Sequence, residues 1–160
     1  MLSLPPNGRN RRAALGLALL RVTLGIVFMA HGLQKLIAWG WGGAAPFFAE
    51  AGIPLASVAA PLVILVEILG GCALVLGMAS RIAAALLAVV MVVALVTVHW
   101  PHGFFMPNGY EFVMVLAVAN LTIVVAGPGE PAAENWRRAR SIARRAAPPD
   151  HASRSPSHCG

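Results

Sequence analysis

Charge is what this sequence has least of. Only 11% of its 160 residues are Asp, Glu, Lys or Arg, against about 25% in an ordinary soluble domain. So little charge cannot cover a water-facing surface, which excludes a soluble globular protein. Acids are scarcer than bases, six against twelve, and the bases are not spread over a fold. Arg9, Arg11 and Arg12 precede the first apolar block, and Arg137, Arg138, Arg140, Arg144, Arg145 and Arg154 follow the last. A nucleic-acid-binding domain would place basic residues on a folded surface among groove-reading or stacking side chains. Basic flanks around an apolar middle point instead to anionic lipid headgroups and to control of orientation.

Cysteine is sparse too, with two residues. Cys72 lies inside an apolar block and Cys159 beside the C-terminus. They form no C-x-x-C pair, which excludes a dithiol redox centre of that kind within the chain, and Cys72 reads as a small packing residue. A dinucleotide fingerprint and a pair of haem ligands across two helices are also missing. His31, His99 and His102 lack tight ligand spacing, so no metal is expected.

What the sequence does have is apolar length. Hydrophobic residues make up 58% of it, in blocks near the roughly 20 residues that cross about 30 Å of hydrocarbon. The pattern predicts an all-α transmembrane four-helix bundle with spans over Ala13–Ala38, Leu55–Gly77, Arg81–His99 and Tyr110–Ala126. Residues 1–12 read as a basic lead, 13–129 as the membrane domain and 130–160 as a basic, partly disordered tail. Within that tail Trp136–Arg145 suits a short surface helix. A signal peptide is the competing reading of the N-terminus, but Arg21 interrupts the run and the apolar stretch continues too far. The connections 39–54 and 100–109 hold aromatics, Gly and Pro, and they suit an interfacial belt or a short re-entrant segment. They carry no arginine, whereas both flanks and the Ser80-Arg81 turn do. The positive-inside rule therefore predicts both termini in the cytoplasm of a multi-pass protein of the cell (inner or plasma) membrane.

Ionisable groups inside hydrocarbon are costly and normally face protein or a cavity. At 100° per residue, Lys35 falls about 40° from Arg21 and His31 about 80°, and Gly25 and Gly32 lie close by on the same stripe. That stripe should face the bundle, since small residues let membrane helices approach closely. Glu67 shares a face with Gly70 and Gly71. Counting from the span ends puts Arg21 and Glu67 roughly 12 and 15 Å deep, and predicts an intramembrane ion pair between them. Lys35, His99 and Glu111, with His31 and Gln34, gather toward the opposite surface. They are expected to line one ligand pocket, roofed by Trp41, Phe47, Phe104 and Phe105. Glu111 is placed on an inward face with Val115, Val118 and Thr122. Asn120 then points away, toward a possible second copy of the chain.

Taken in order, these residues resemble DoxX-type membrane proteins. The resemblance rests on Arg21-Val-Thr-Leu-Gly-Ile-Val-Phe-Met-Ala-His31-Gly32-Leu33-Gln34-Lys35, Glu67-Ile-Leu-Gly70-Gly71, Leu76-Gly77 with Arg81, Val98-His99 before Gly103-Phe104-Phe105, Gly109-Tyr110-Glu111 and Gly127-Pro128-Gly129. It covers about residues 14–130. It implies four membrane helices and, by analogy with relatives in thiosulfate:quinone and thiol-redox assemblies, a membrane subunit or partner of a redox system. The implied cofactor is a quinone, and the implied partners are the bilayer and an oxidoreductase. His31 and Lys35 would donate to a quinone and Glu67 or Glu111 would relay protons. Two other readings stay open: a small-solute transporter, weakened by the lack of an inverted repeat, and a non-catalytic scaffold that recruits a soluble oxidoreductase.

Overall fold

The computed structural model describes residues 8–105 and 107–135. The basic lead before residue 8 and the expected Trp136–Arg145 surface helix lie outside the described residues. The elements are α1 (Gly8–Trp39), α2 (Ala45–Glu50), α3 (Ala56–Leu76), α4 (Ser80–Ala94) and α5 (Glu111–Ala126). No strand occurs among the described residues. Three helical stretches, Arg11–Trp39, Ala56–Leu76 and Ser80–His102, are long and apolar enough to cross a membrane, and Glu111–Ala126 is apolar but shorter.

The long helices close into a ring. α1 packs most extensively on α3, α3 on α4 and α4 on α5, and α5 returns to α1. The start of α1 and the end of α5 lie together, joined by a hydrogen bond from Glu130 N–H to Ala14 O. This is called the terminal end. The other, where α2 and the segment 95–111 lie, is the loop end. A core of Leu24, Phe28, Leu74, Leu87, Leu116 and Ile123 fills the ring. Its rim is the reverse of a soluble protein's: Leu19, Ile26, Ile37, Leu69, Ile82, Val89, Val115 and Val125 all point outward. Such an apolar exterior suits a hydrocarbon solvent, where the backbone must satisfy its own hydrogen bonds, as helices do.

Glycine sets the tightest contact. A Cβ on Gly25 would sit 2.6 Å from Gly71 O and 2.9 Å from Val75 N, and one on Gly71 would meet Gly25 O and Met29 N at 2.6 and 2.9 Å. The backbones of α1 and α3 therefore touch there, with nothing between them. Lipid tails are as apolar as leucine, so association relies on such van der Waals fit. The α3–α4 turn needs Gly77 for two reasons. Its φ of +68° belongs to the left-handed region, and a Cβ there would overlap Arg21 Nη1. The turn itself is a Schellman cap, with Met78 N–H donating to Ala73 O and Gly77 N–H to Leu74 O.

The structure departs from the sequence reading in three places. The connection 39–54 contains α2, whose Phe48 packs with Ala44 on Ala60 of α3. The third apolar stretch leaves α-helical geometry after Ala94, widening into a π-helical turn over Leu95–His99 and then a 3₁₀ turn over Trp100–His102. Pro101 lies within this last turn, where its missing N–H and its ring do not permit a regular α-helix. In α5 the expected inward face is wrong. Val115, Val118 and Thr122 are exposed, and Val113, Leu116, Ala117, Asn120 and Ile123 are buried. Apart from Glu111, Asn120 and Thr122 the helix is apolar on all sides, so periodicity carries no record of which side faces protein. Asn120 is fully buried, and the feature that suggested contact with a second copy lies inside the bundle.

Candidate functional site

The ion pair the structure forms at Glu67 is with Lys35, not with Arg21. Lys35 Nζ lies 2.5 Å from Glu67 Oε1 and within hydrogen-bond reach of both carboxylate oxygens. Two features of helix geometry explain the choice. Gly32 packs on Glu67 Cβ, whereas Arg21 lies beside Gly77. Gly32 lies eleven residues beyond Arg21 on α1, a rise of about 16 Å, so Arg21 stands far below Glu67. Direction adds to this. Cα–Cβ bonds tilt toward the helix N-terminus, and α1 and α3 run antiparallel. Lys35 therefore leans toward the terminal end and Glu67 toward the loop end, and they converge. Arg21 also leans toward the terminal end, which from its lower level carries it away from Glu67. Depth counted from assumed span ends missed this, because α3 ends at Leu76, level with Arg21.

Arg21 is instead held by the chain that follows α5. Its Nη2 donates to Pro131 O at 2.7 Å, it lies in the field of the Glu134 carboxylate, and it is only 2% exposed. Glu134 N–H donates to Gly77 O, and Glu134 Oε2 accepts from Ser80 N–H at 3.3 Å. The tail thus caps both the end of α3 and the start of α4. The sequence reading missed Glu134, which lies beyond the firm Gly127-Pro128-Gly129 stop.

At the loop end the expected pocket residues have separate partners. His31 is half-buried, and its ring faces Phe112 with centroids 6.2 Å apart. His99 Nδ1 donates to Asn108 O at 2.8 Å, since a carbonyl can only accept. His102 Nδ1 donates to Val98 O at 3.0 Å. Gln34 is exposed. Trp100 stacks on Tyr110 at 5.2 Å, and Phe104 meets Tyr110 edge-on at 5.4 Å. Glu111 N–H donates to Phe104 O, and Tyr110 N–H to Gly103 O, which closes the loop over the start of α5. A cavity of about 330 Å³ opens here, lined by Phe104, Glu111, Phe112, Met114 and Val115. Of the five residues expected to share a pocket, Glu111 lines this cavity and His31 reaches its wall through Phe112. Lys35 is turned to Glu67. Of the expected roof, Phe104 contributes, while Phe47 packs against Phe48.

Phe112 is a lining residue that the sequence reading passed over. Its signal was its position beside Glu111 at the start of an apolar helix, which alone does not distinguish a cavity wall from a lipid-facing side chain. Asn120 was misplaced. Its Nδ2 donates to Leu116 O at 2.8 Å, and its Oδ1 has no partner among the described residues. Among the described residues no three His, Cys, Asp or Glu side chains cluster to hold a metal ion. Cys72 is a free thiol, half-buried.

No solved structure matches the chain. A curated protein of Bacillus subtilis (strain 168), named "Putative oxidoreductase CatD", is 32% identical over 114 residues, which cover 71% of this chain and 82% of that relative. The DoxX family model matches residues 16–100, from the first turns of α1 through the Gly25–Gly71 crossing and the Lys35–Glu67 pair to Trp100. With apolar helices of spanning length, the chain is a multi-pass membrane protein and belongs to the DoxX family.

Proposed function

We propose that this protein is a membrane subunit or partner of a redox system and that it holds a quinone headgroup at the loop end. The observation that carries this reading is the cavity between Phe104, Phe112, Met114 and Val115, with Glu111 on its rim. Its walls are aromatic and apolar, as a flat, lipid-soluble ring requires. Val115 is 60% exposed and Phe112 41%, so the cavity faces outward where a ligand dissolved in the bilayer can enter sideways. Glu111 supplies an ionisable group at the mouth, placed to exchange a proton with a quinone oxygen and the aqueous phase. The name of the Bacillus subtilis relative supports redox work. The sequence contains no cysteine pair or dinucleotide fingerprint, so the electrons would come from a partner oxidoreductase.

The same reading places four spans in the cell membrane, with α5 as the fourth. Its 16 residues rise about 24 Å, which the flanking Tyr110 and Gly127 extend. Both termini are then cytoplasmic, with a basic lead and a basic tail flanking the 13–129 membrane domain.

Two measurements test this. A short-chain ubiquinone analogue titrated into the purified protein should bind saturably. A quinone oxygen only accepts, so Glu111 would serve it as a protonated acid that donates; losing a neutral hydrogen bond of this kind costs about 0.5–1.5 kcal/mol, and Glu111→Ala should weaken binding roughly 2- to 10-fold. His31→Ala, which removes support from Phe112, should weaken it less. Saturable binding untouched by Glu111→Ala would reject the site, and no binding by a well-folded sample would favour a scaffold. Separately, reporter fusions at residues 45 and 104 should be active only outside the cytoplasm, and fusions at the C-terminus only inside. A C-terminal reporter found outside would overturn the four-span topology.

A further inference from the structure

The chain leaving α5 does not run free of the bundle. Gly127 turns it, and Glu130 N–H donates to Ala14 O at 3.1 Å. Arg21 holds Pro131, and Asn135 Nδ2 donates to Gly129 O at 3.1 Å. The resulting strap borders an open cavity of about 460 Å³ at the terminal end, against α1 and the first turn of α4. Ala14, Leu17 and Ala126 give it an apolar wall, and Arg81, Glu130 and Asn135 a polar one. This cavity lies at the opposite end of the bundle from the one assigned to quinone.

Two of its charges have no partner among the described residues. Arg81 and Glu130 are both exposed, and neither side chain makes a hydrogen bond or ion pair with any described residue. The guanidinium rests against Gly127, where a Cβ would meet Nη2 at 3.3 Å. The two charges line one cavity, yet no ion pair joins Arg81 to Glu130, so they stand beyond ion-pair reach of each other. A simple anion would meet Glu130 and Glu134 as well as Arg81, and a simple cation would meet Arg81. The arrangement suits a ligand that carries a negative and a positive group a few ångströms apart.

Depth identifies the source. Arg21 is level with Gly77, where α3 ends. Leu17, which lines the cavity, is one turn beyond Arg21, or about 6 Å along the axis. A bilayer adds roughly that much headgroup on each side of its hydrocarbon core. We propose that the cavity binds a zwitterionic phospholipid with a primary ammonium, with its phosphate on Arg81 and its ammonium on Glu130. The glycerol and first acyl methylenes would follow the Ala14–Leu17 wall. A primary ammonium donates hydrogen bonds to a carboxylate, whereas a quaternary one is best held by an aromatic cage, and among the described residues no aromatic lines this cavity. The proposal stands on the membrane location of the chain and is independent of the redox reading.

The test uses the full chain, stripped of lipid in mild detergent and titrated with dihexanoyl phosphatidylethanolamine, phosphatidylcholine or phosphatidylglycerol. Binding is read by native mass spectrometry and by thermal shift. The ethanolamine lipid should bind one per chain and at least about tenfold more tightly than the other two, a difference of roughly 1.4 kcal/mol. Glu130→Gln should abolish the preference over phosphatidylcholine. Arg81→Gln should weaken both lipids, and Arg81→Lys should retain part of the affinity. Glu130→Gln alters an exposed side chain and leaves its backbone hydrogen bond to Ala14, so it keeps the test interpretable if Arg81→Gln unfolds. Free O-phosphoethanolamine should compete poorly. Competition at equal affinity would overturn the lipid source in favour of a soluble zwitterion. Equal binding of all three lipids, or ethanolamine-lipid binding unchanged in both charge variants, would overturn the site.

Discussion

Lys35→Met should destabilise the bundle by about 3–5 kcal/mol, the cost of leaving one member of a buried ion pair uncompensated. The Glu67 carboxylate is the member left behind, and at 1% exposure it has no route to water. Glu67→Gln should cost clearly less. Lys35 is 22% exposed, close to the loop end of α1, and its flexible stem can carry the ammonium outward to the interface. The double variant Lys35→Met with Glu67→Met removes both charges and should recover much of the loss. Unfolding of the purified protein, followed by circular dichroism or by loss of monodisperse elution after heating, would rank the three. The asymmetry is the sensitive part. If Glu67→Gln is as damaging as Lys35→Met, or if the double variant is no better than the worse single, the pair does not hold the helices as described. Arg21→Met should not rescue Glu67→Gln, because Arg21 serves Pro131 and Glu134 instead.

The second large effect belongs to a residue with no side chain. Gly25→Ala places a methyl 2.6 Å from Gly71 O and 2.7 Å from Val75 Cγ2. Overpacking of this kind costs about 1–3 kcal/mol. The upper part of that range is expected here, because the obstructing atoms include backbone, which moves only if α1 and α3 separate. Gly71→Ala should behave alike. Gly70→Ala meets only the side chain of Leu87, at 3.2–3.5 Å, and should be mild. Gly16→Ala meets nothing within 4 Å and should be neutral, or stabilise by up to about 1 kcal/mol through helix propensity. Separating the helices also strains Lys35–Glu67 a few turns away, so Gly25→Ala combined with Lys35→Met should cost less than the sum of the two. An additive double variant, or a Gly25→Ala protein as stable as Gly16→Ala, would count against the backbone contact.

These cases show why some of the site was legible in sequence and some was not. Glycines and ionisable residues in an apolar block carry a physical constraint wherever they occur, so the stripe of Gly25, Gly32 and Lys35 could be assigned to the interior from spacing alone, and the structure buries both glycines. Which acid meets which base depends on the register of two antiparallel helices, and that register is set by where Gly25 meets Gly71. Residue counts from assumed span ends could not supply it, and Glu67 was matched to the wrong base. Glu111 and Asn120 were assigned to opposite faces correctly, but which face lay inward was reversed. A helix between lipid and protein is apolar on both sides, so hydrophobicity loses the contrast that it has in water.

The sequence by itself determined that the chain is a multi-pass membrane protein, because low charge and long apolar blocks leave no other solvent for it. It also carried the DoxX likeness, through motifs whose order survives without any contact being known. Only the tertiary structure decided that Lys35 holds Glu67, that Asn120 is enclosed, and that the chain beyond Gly127 folds back to cap α3 and α4 around Arg21. Each of these joins residues distant in sequence, and each depends on helix register and side-chain direction, which local composition does not encode.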